Sequence, residues 1–433
     1  MFSVFKNAWK IQDLRKKLLF TALILLLFRL GSNITVPFLN ASQVNAMFEA
    51  YTQSGHMFSF LNTMAGGAME QASVFSLSIS PYINASIIMQ LLMVAIPALE
   101  RRMKDDPEGG KKLMETCTRW LTIIFSFLLG FGYYTILKND QRYQIVSENA
   151  GVFGAIVIVF TFAVGAAIVM WLGEQINARG IGNGISMILF AGIVAGIDDT
   201  VIYLIENAKL DPMFWIIAGV LLIGIIAMIG FVVFVTNGER RIPVQYAKQV
   251  KGRKMYGGQN TNIPLKVNMV GVLPIIFAQS FVMLPATILN FFPKLEKTWF
   301  NSVVKALSVG GWVYTVLMFL LIIFFSYFYT VISFNPVEVA NNLKKNGGFI
   351  MGIRPGKPTA DFITKSLNRV TLIGAIFLGL VSALPNIVAM INPSLAAVAI
   401  GGTTLLIVVG VALETMKTLE SQMLMRHYKG FLE

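Results

Sequence analysis

The side chains that enzymes use for chemistry are scarce in this chain. Cys117 is the single cysteine, and the two histidines, His56 and His427, lie far apart, so a disulfide or a Cys/His metal site has no ligand set. No Gly-x-x-x-x-Gly-Lys-Ser/Thr phosphate loop occurs: Gly110-Lys111 runs into Lys112, and Gly356-Lys357 into Pro358. His-Glu-x-x-His and Gly-x-Ser-x-Gly are absent, no carboxylate pair falls at membrane depth, and no histidine lies in an apolar stretch to serve a Ser–His protease. Catalytic, cofactor-binding and metal-binding sets are therefore expected to be none, and any uphill work needs a partner or an ion gradient. What remains is the chemistry of excluding water. Ile79 and Ile83, in Ser78-Ile79-Ser80-Pro81-Tyr82-Ile83-Asn84, are four apart and share a helix face. Ile185 and Leu189 repeat that spacing just after Gly180-Ile181-Gly182-Asn183-Gly184. Such pairs ordinarily face core or lipid. Facing one another across a pathway, they would form an apolar constriction that gates by dewetting.

The elements that must position these residues are membrane spans. The chain has 433 residues, of which 55% are hydrophobic and only 13% charged, too little charge to dissolve a chain of this size. A span needs about 20 mostly apolar residues. Ten such stretches lie near 18–37, 74–97, 118–137, 151–172, 184–205, 213–236, 268–292, 311–333, 370–391 and 394–415. The first follows a basic, amphipathic Met1–Lys17 and has no small-residue cleavage site behind it, which predicts a retained signal-anchor. The net charge of +13 is unevenly placed. Twenty-eight basic residues, Arg179 among them, fall at the termini and in alternate gaps, including Arg101–Lys112, Arg240–Lys266 and Lys344–Arg369. Only six fall on the other side (Lys138, Arg142, Lys209, Lys294, Lys297 and Lys305) and one, Arg29, within a span. That excess puts the 28-residue side, with both termini, in the cytoplasm.

The short gap around 206–212 divides the spans into five and five. The expected organisation is a cytoplasmic N-terminus (1–17), a first half (18–205), a hinge loop (206–212), a second half (213–415) carrying loops 237–267 and 334–369, and a tail (416–433). Halves of five spans have opposite orientation, as in proteins that place a pathway between inverted repeats. On the outer side, residues 38–73 carry no Lys or Arg and end in an apolar run, Met57–Ala68, too short to cross and broken by Gly66-Gly67. A segment that dips back into the protein fits this run, and so does a helix lying on the interface. The 37 glycines, many of them inside spans, suit close helix packing or a smooth moving interface.

Charges within spans are few, which argues against an ion-coupled carrier of small solutes. Arg29 sits toward the outer end of the first span, at a cost of about 2.5–3.5 kcal/mol on insertion scales. Glu174 is expected at the cytoplasmic interface, and Asp198 and Asp199 near the outer end of the fifth span. Pro81 and Pro274 each remove a backbone donor and are expected to kink their helices. The two large basic gaps are too ordered in composition for linkers. One reads Glu239-Arg240-Arg241-Ile242-Pro243-Val244-Gln245-Tyr246-Ala247-Lys248, alternating like a hairpin arm; the other contains Asn341-Asn342-Leu343-Lys344-Lys345 and Gly352-Ile353-Arg354-Pro355-Gly356. Basic, partly rigid projections suit an acidic protein partner, RNA or anionic lipid.

Together these stretches resemble the SecY family, the central subunits of the bacterial Sec protein-conducting channel. The resemblance is carried by Trp171-Leu172-Gly173-Glu174-Gln175-Ile176, Arg179–Ser186, Pro81–Ile88, Pro264-Leu265-Lys266-Val267-Asn268, Gly352–Gly356 and Gly401-Gly402-Thr403, over nearly the whole chain. It implies an all-α polytopic membrane protein of ten transmembrane helices, in two inverted-topology halves around a central hourglass pore. It implies a pore ring of Ile79, Ile83, Ile185, Leu189, Ile276 and Ile407, where Leu189 departs from the family's isoleucine but keeps the bulk. It implies a plug near Met57–Gln71, centred on Phe60, Leu61, Asn62, Thr63, Met64, Ala65, Gly66 and Gly67. A lateral gate would open between the second and third spans and the seventh and eighth, with Gln90 as a polar member. The basic loops, through Arg354 and then Arg240, Arg241 and Lys248, would dock the SecA motor ATPase or a translating ribosome. SecE and SecG would be membrane partners in the bacterial plasma membrane, and the substrates secretory polypeptides with their signal sequences. The competing class is a secondary transporter of a small solute.

Overall fold

The computed structural model describes residues 2–53, 62–139, 142–147, 150–197, 205, 209, 213–246, 249–251, 254–256, 260–269, 271–291, 299–307, 311–391 and 402–429. In chain order the helices are α1 (Phe2–Lys10), α2 (Gln12–Gly31), α3 (Ala41–Gln53), α4 (Ser80–Ala95), α5 (Pro97–Asp105), α6 (Pro107–Asn139), α7 (Gly151–Arg179), α8 (Gly184–Ala195) and α9 (Met213–Asn237). There follow β1 (Glu239–Tyr246), β2 (Gln249–Lys251), β3 (Lys254–Tyr256), β4 (Asn260–Lys266), α10 (Leu273–Phe291), α11 (Trp299–Ala306), α12 (Trp312–Ser333), α13 (Pro336–Lys345), β5 (Gly348–Ile350), α14 (Lys357–Ile391) and α15 (Gly402–Lys429). A helix lies in each of the ten apolar stretches. Among the described residues, four helices are long and apolar enough to cross a membrane alone, or five if the bent pair α4–α5 is one span.

Several boundaries differ from the hydropathy reading, for local reasons. Residues 74–79 are turns rather than helix, and Ser78 takes a positive φ of 45°. Pro81 therefore stands in the first turn of α4, where its missing N–H costs nothing, and starts the helix instead of kinking it. Pro274 is likewise the second residue of α10; the prolines inside helices are Pro285 and Pro385. The sharp break comes at Ile96, before Pro97, where α4 and α5 meet at 90°. Of the fifth stretch, α8 covers only Gly184–Ala195, and Asp198, Asp199 and the hinge positions Glu206 and Asp211 lie outside the described residues.

The turn between α7 and α8 shows what the Gly-Ile-Gly-Asn-Gly motif does. Asn183 caps α8, its side-chain oxygen accepting from the Ile185 and Ser186 amides at 3.1 and 3.4 Å. Gly184 sits so close to α7 that a Cβ there would lie 1.9 Å from the Gly173 carbonyl oxygen. Gly184→Val is therefore expected to force the two backbones apart and destabilise the protein by about 1–3 kcal/mol, the range of overpacking. A thermal melt of the detergent-purified protein reads the loss; an unshifted midpoint would mean that α8 moves freely.

The two basic gaps, which the sequence presents separately, form one unit. β1 pairs antiparallel with β4 along Glu239↔Lys266 to Gln245↔Asn260, and β5 adds to the other edge of β1 through Val244↔Ile350, giving the order β4-β1-β5. Ile242, Val244, Leu265, Leu343, Ile350, Ile363 and Leu367 make its small core, which anchors the sheet on α13 and α14. At the chain ends, Ala8, Leu14, Ile181 and Leu419 pack together, and the Lys17 ammonium donates to the Gln422 side-chain oxygen at 3.3 Å, so α1 and α2 clasp α15.

Candidate functional site: an apolar centre closed by a folded-back segment

Five of the six aliphatic positions belong to one large buried hydrophobic cluster, and the sixth packs against it. Ile79 is the N-cap residue of α4, and the Ile83 amide donates to its carbonyl at 3.0 Å, so the two share a face although Ile79 precedes the helix proper. Leu189 of α8, Ile276 of α10 and Ile407 of α15 are buried in the same hydrophobic cluster as Ile79 and Ile83, and the half-buried Ile185 packs against it. Helices from both ends of the chain thus supply one apolar centre, and α8 rests directly on α15 there.

Residues after Asn62 fold back into this centre. Met64 belongs to the same cluster as five of the six, while Ala65, Ala68, Met69 and Ala72 are buried in an adjoining one with Tyr133 and Phe162. The burial of Met64, Ala65, Ala68 and Met69 fits a segment that dips back into the protein; Phe60 and Leu61 lie outside the described residues. The backbone is knotted by its own polar groups. The Asn62 side-chain oxygen accepts from the Met69 and Glu70 amides, both at 3.2 Å, and its amide donates to the Glu70 carboxylate at 2.7 Å. The Gly66 amide donates to the Thr63 carbonyl and the Gly67 amide to that of Asn62. From outside, the Tyr133 hydroxyl donates to the Met69 carbonyl at 2.7 Å, and the Arg29 guanidinium donates to the Gly66 carbonyl. Gly66 has φ +69°, and a Cβ on it would lie 3.0 Å from the Gly192 Cα; one on Gly192 would lie 2.6 Å from the Met64 carbonyl oxygen. Only glycine at both positions lets the segment lie backbone-to-backbone on α8.

Beside the centre, α4, α6, α10 and α12 line an open apolar cavity of about 580 Å³, bounded by Met64, Ile83, Ile87, Ile276, Phe277 and Phe325 among others. Phe277 of α10 contacts Phe325 and Tyr329 of α12 at ring separations of 5.9 and 5.3 Å. Gln90 donates to Ser86 in its own helix at 3.1 Å and approaches Tyr329 of α12. Two residues that sequence reasoning missed belong here. Tyr329 is one; Gln279 is the other, 5% exposed on the cavity wall with a side-chain oxygen that has no partner among the described residues. The signal for Gln279 was legible: an amide in the middle of a mainly apolar helix. Glu174, expected at the interface, is paired, accepting from the Arg119 Nε of α6 at 2.7 Å.

On the sheet, Arg240 and Arg241 are exposed, and Arg241 is held by Glu239 at 2.7 Å. Lys248 lies outside the described residues. Arg354 is exposed in the loop between β5 and α14. Near the base of the sheet, burial first and Lys266 second push the Lys417 ammonium below its usual value, with Glu239 and Glu420 opposing.

A mainly helical fold, apolar helices of spanning length, an apolar centre fed from both ends of the chain and a segment folded back into it define a membrane protein of the conducting-channel kind. The SecY family profile matches residues 73–416. The protein translocase subunit SecY of Streptomyces coelicolor is 42% identical over 441 residues, covering 100% of both chains. The chain belongs to the SecY family. Its fold matches that of a solved structure described as a protein-conducting channel, with TM-score 0.67 at 19% identity, over 94% of this chain and 92% of that one. A second solved structure, with TM-score 0.65 at 20% identity and the same coverage, is described as showing that the plug domain of the SecY protein stabilises the closed state of the translocation channel and maintains a membrane seal. Nothing in these comparisons supports a carrier of small solutes.

Proposed function

We propose that this chain is the pore subunit of a protein translocase, conducting unfolded secretory polypeptides across the bacterial plasma membrane and releasing apolar segments sideways into lipid. The observation that carries this reading is the meeting of Ile79, Ile83, Leu189, Ile276 and Ile407 in one cluster with the folded-back Met64. An aliphatic collar offers no specific bonds to a passing chain, so it passes many sequences while resisting hydrated ions. In this reading ten spans form two inverted halves (18–205 and 213–415), hinged at 206–212, around an hourglass pore, with residues 57–71 as the plug. Both termini, 1–17 and 416–433, and the two basic loops face the cytoplasm, as the positive-inside distribution supports.

The lateral gate is the seam between α4 and α6 on one side and α10 and α12 on the other, with Gln90 and Tyr329 as its polar clasp. Its cavity suits an apolar signal segment, whose transfer onward into lipid is favourable by about 25 cal/mol per Å² of apolar surface removed from water. The sheet and Arg354 dock the SecA motor or a translating ribosome, and SecE and SecG cover lipid-facing helices. On α1, exposed Phe5 and Trp9 beside Lys6 and Lys10 suit the anionic leaflet.

The test is reconstitution with these partners in vesicles. An unfolded secretory precursor should become protected from protease only when motor and ATP are present; uptake of a small solute with no protected polypeptide would establish the carrier instead. The collar itself is probed by Ile83→Asn, whose amide should hydrate the constriction and raise resting ion conductance about tenfold. An unchanged resting current would remove Ile83 from the collar.

A further inference from the structure

We propose that Arg29 is a positioning residue that latches the folded-back segment in its closed seat. The proposal rests on the plug reading above and assigns its restraint to one side chain.

Arg29 stands in the last turn of α2, an apolar helix where a guanidinium is costly to place. It is half-buried, and Nη1 donates to the Gly66 carbonyl, 37 residues further along the chain. The end of α2 is held against the same region by the Phe28 ring, stacked on Phe75 at 6.0 Å and 6°. Across the segment, Gly192 of α8 meets the backbone of Met64 and Gly66. Residues 64–66 are therefore clamped between a charged donor on α2 and a bare helix face on α8. The two sides hold differently. Contact with Gly192 is close packing, lost gradually as the segment slides. The Arg29 bond is charge-assisted and directional, so breaking it costs more than loosening a packing contact. A backbone carbonyl as acceptor also fits a latch that must reopen, because no carboxylate–guanidinium pair has to be separated at membrane depth.

The experiment follows the segment itself. The full chain, in its membrane complex in vesicles, carries Cys117→Ser and Ala65→Cys and is treated from the outer face with a charged, impermeant maleimide. Ala65 is 1% exposed, so the parent should react slowly. Arg29→Met should speed the reaction about tenfold or more, the factor attached to losing one charge-assisted hydrogen bond. Arg29→Lys, which keeps a charged donor, should stay within about threefold of the parent. A control cysteine at Ala163, 3% exposed in α7, should remain protected in every variant. An Arg29→Met rate equal to the parent's overturns the latch. Equal acceleration at positions 65 and 163 also overturns it, because that is general loosening. Resting conductance separates the two readings: faster labelling with unchanged current keeps the latch and removes the sealing role of the segment.

Discussion

Excising residues 57–71 and rejoining the chain with a short glycine–serine linker should leave a folded channel that leaks ions. The exit of the segment is pinned independently of it. The Val36 amide donates to the Ala72 carbonyl at 2.9 Å and the Val74 amide to that of Ile34 at 2.8 Å, so α4 keeps its starting point. The seal does not survive. Met64, Ala65, Ala68 and Met69 are all buried, and removing them uncovers the Gly192 face of α8, one wall of the 580 Å³ cavity and the Arg29 guanidinium together. Water then reaches the aliphatic collar from the outer side. The collar alone still excludes much of the hydrated ion traffic, so the expected rise in planar-bilayer conductance is about ten- to a hundredfold rather than that of an open hole. A carrier with the same deletion would lose uptake and gain no current. A correctly folded deletion with the parent's conductance would show that 57–71 is not the seal.

What the sequence announced and what it withheld divide along physical lines. Hydropathy located a helix in each apolar stretch because lipid demands satisfied backbone over a set length. It misplaced the start of α4, since residues 74–79 are apolar for burial against their neighbours and not for helix formation. Spacing alone singled out Ile79 with Ile83 and Ile185 with Leu189. Ile276 and Ile407 sit in locally apolar runs where no periodicity marks them, and only the family resemblance named them. The Gly66-Gly67 break was readable, but its cause was not: it is the approach to Gly192, 126 positions away in the chain. Arg29 was visible as an anomaly whose acceptor is a main-chain carbonyl, a group that every residue carries and no pattern reveals. Joining the two basic gaps in one sheet also escaped, because a three-residue strand such as Gly348–Ile350 acquires its meaning only from the edge of β1.

On the proposed docking surface, Arg354 is the exposed charge whose reversal is expected to matter most. The loop bearing it is rigid at both ends: Gly352 and Gly356 take φ of +78° and +101°, the Ile353 amide donates to Ile350 at 3.0 Å, and the Thr359 hydroxyl donates to the Arg354 carbonyl at 2.8 Å. All of these restraints are main-chain features or belong to neighbours, so the arginine side chain itself is not needed to shape the loop. Among the described residues it makes no ion pair, whereas Arg241 is already partly neutralised by Glu239. Arg354→Glu should therefore cost the fold little and strike a docking partner directly, replacing attraction to an acidic surface by repulsion. The expected outcome is at least about a tenfold fall in motor-driven translocation into vesicles, with Arg241→Glu weaker than Arg354→Glu. The amount of protein inserted in the membrane and its melting temperature should match the parent's, which distinguishes lost docking from lost folding. Translocation at the parent's rate in Arg354→Glu vesicles would move the docking site off this loop and leave its basic charge to lipid alone.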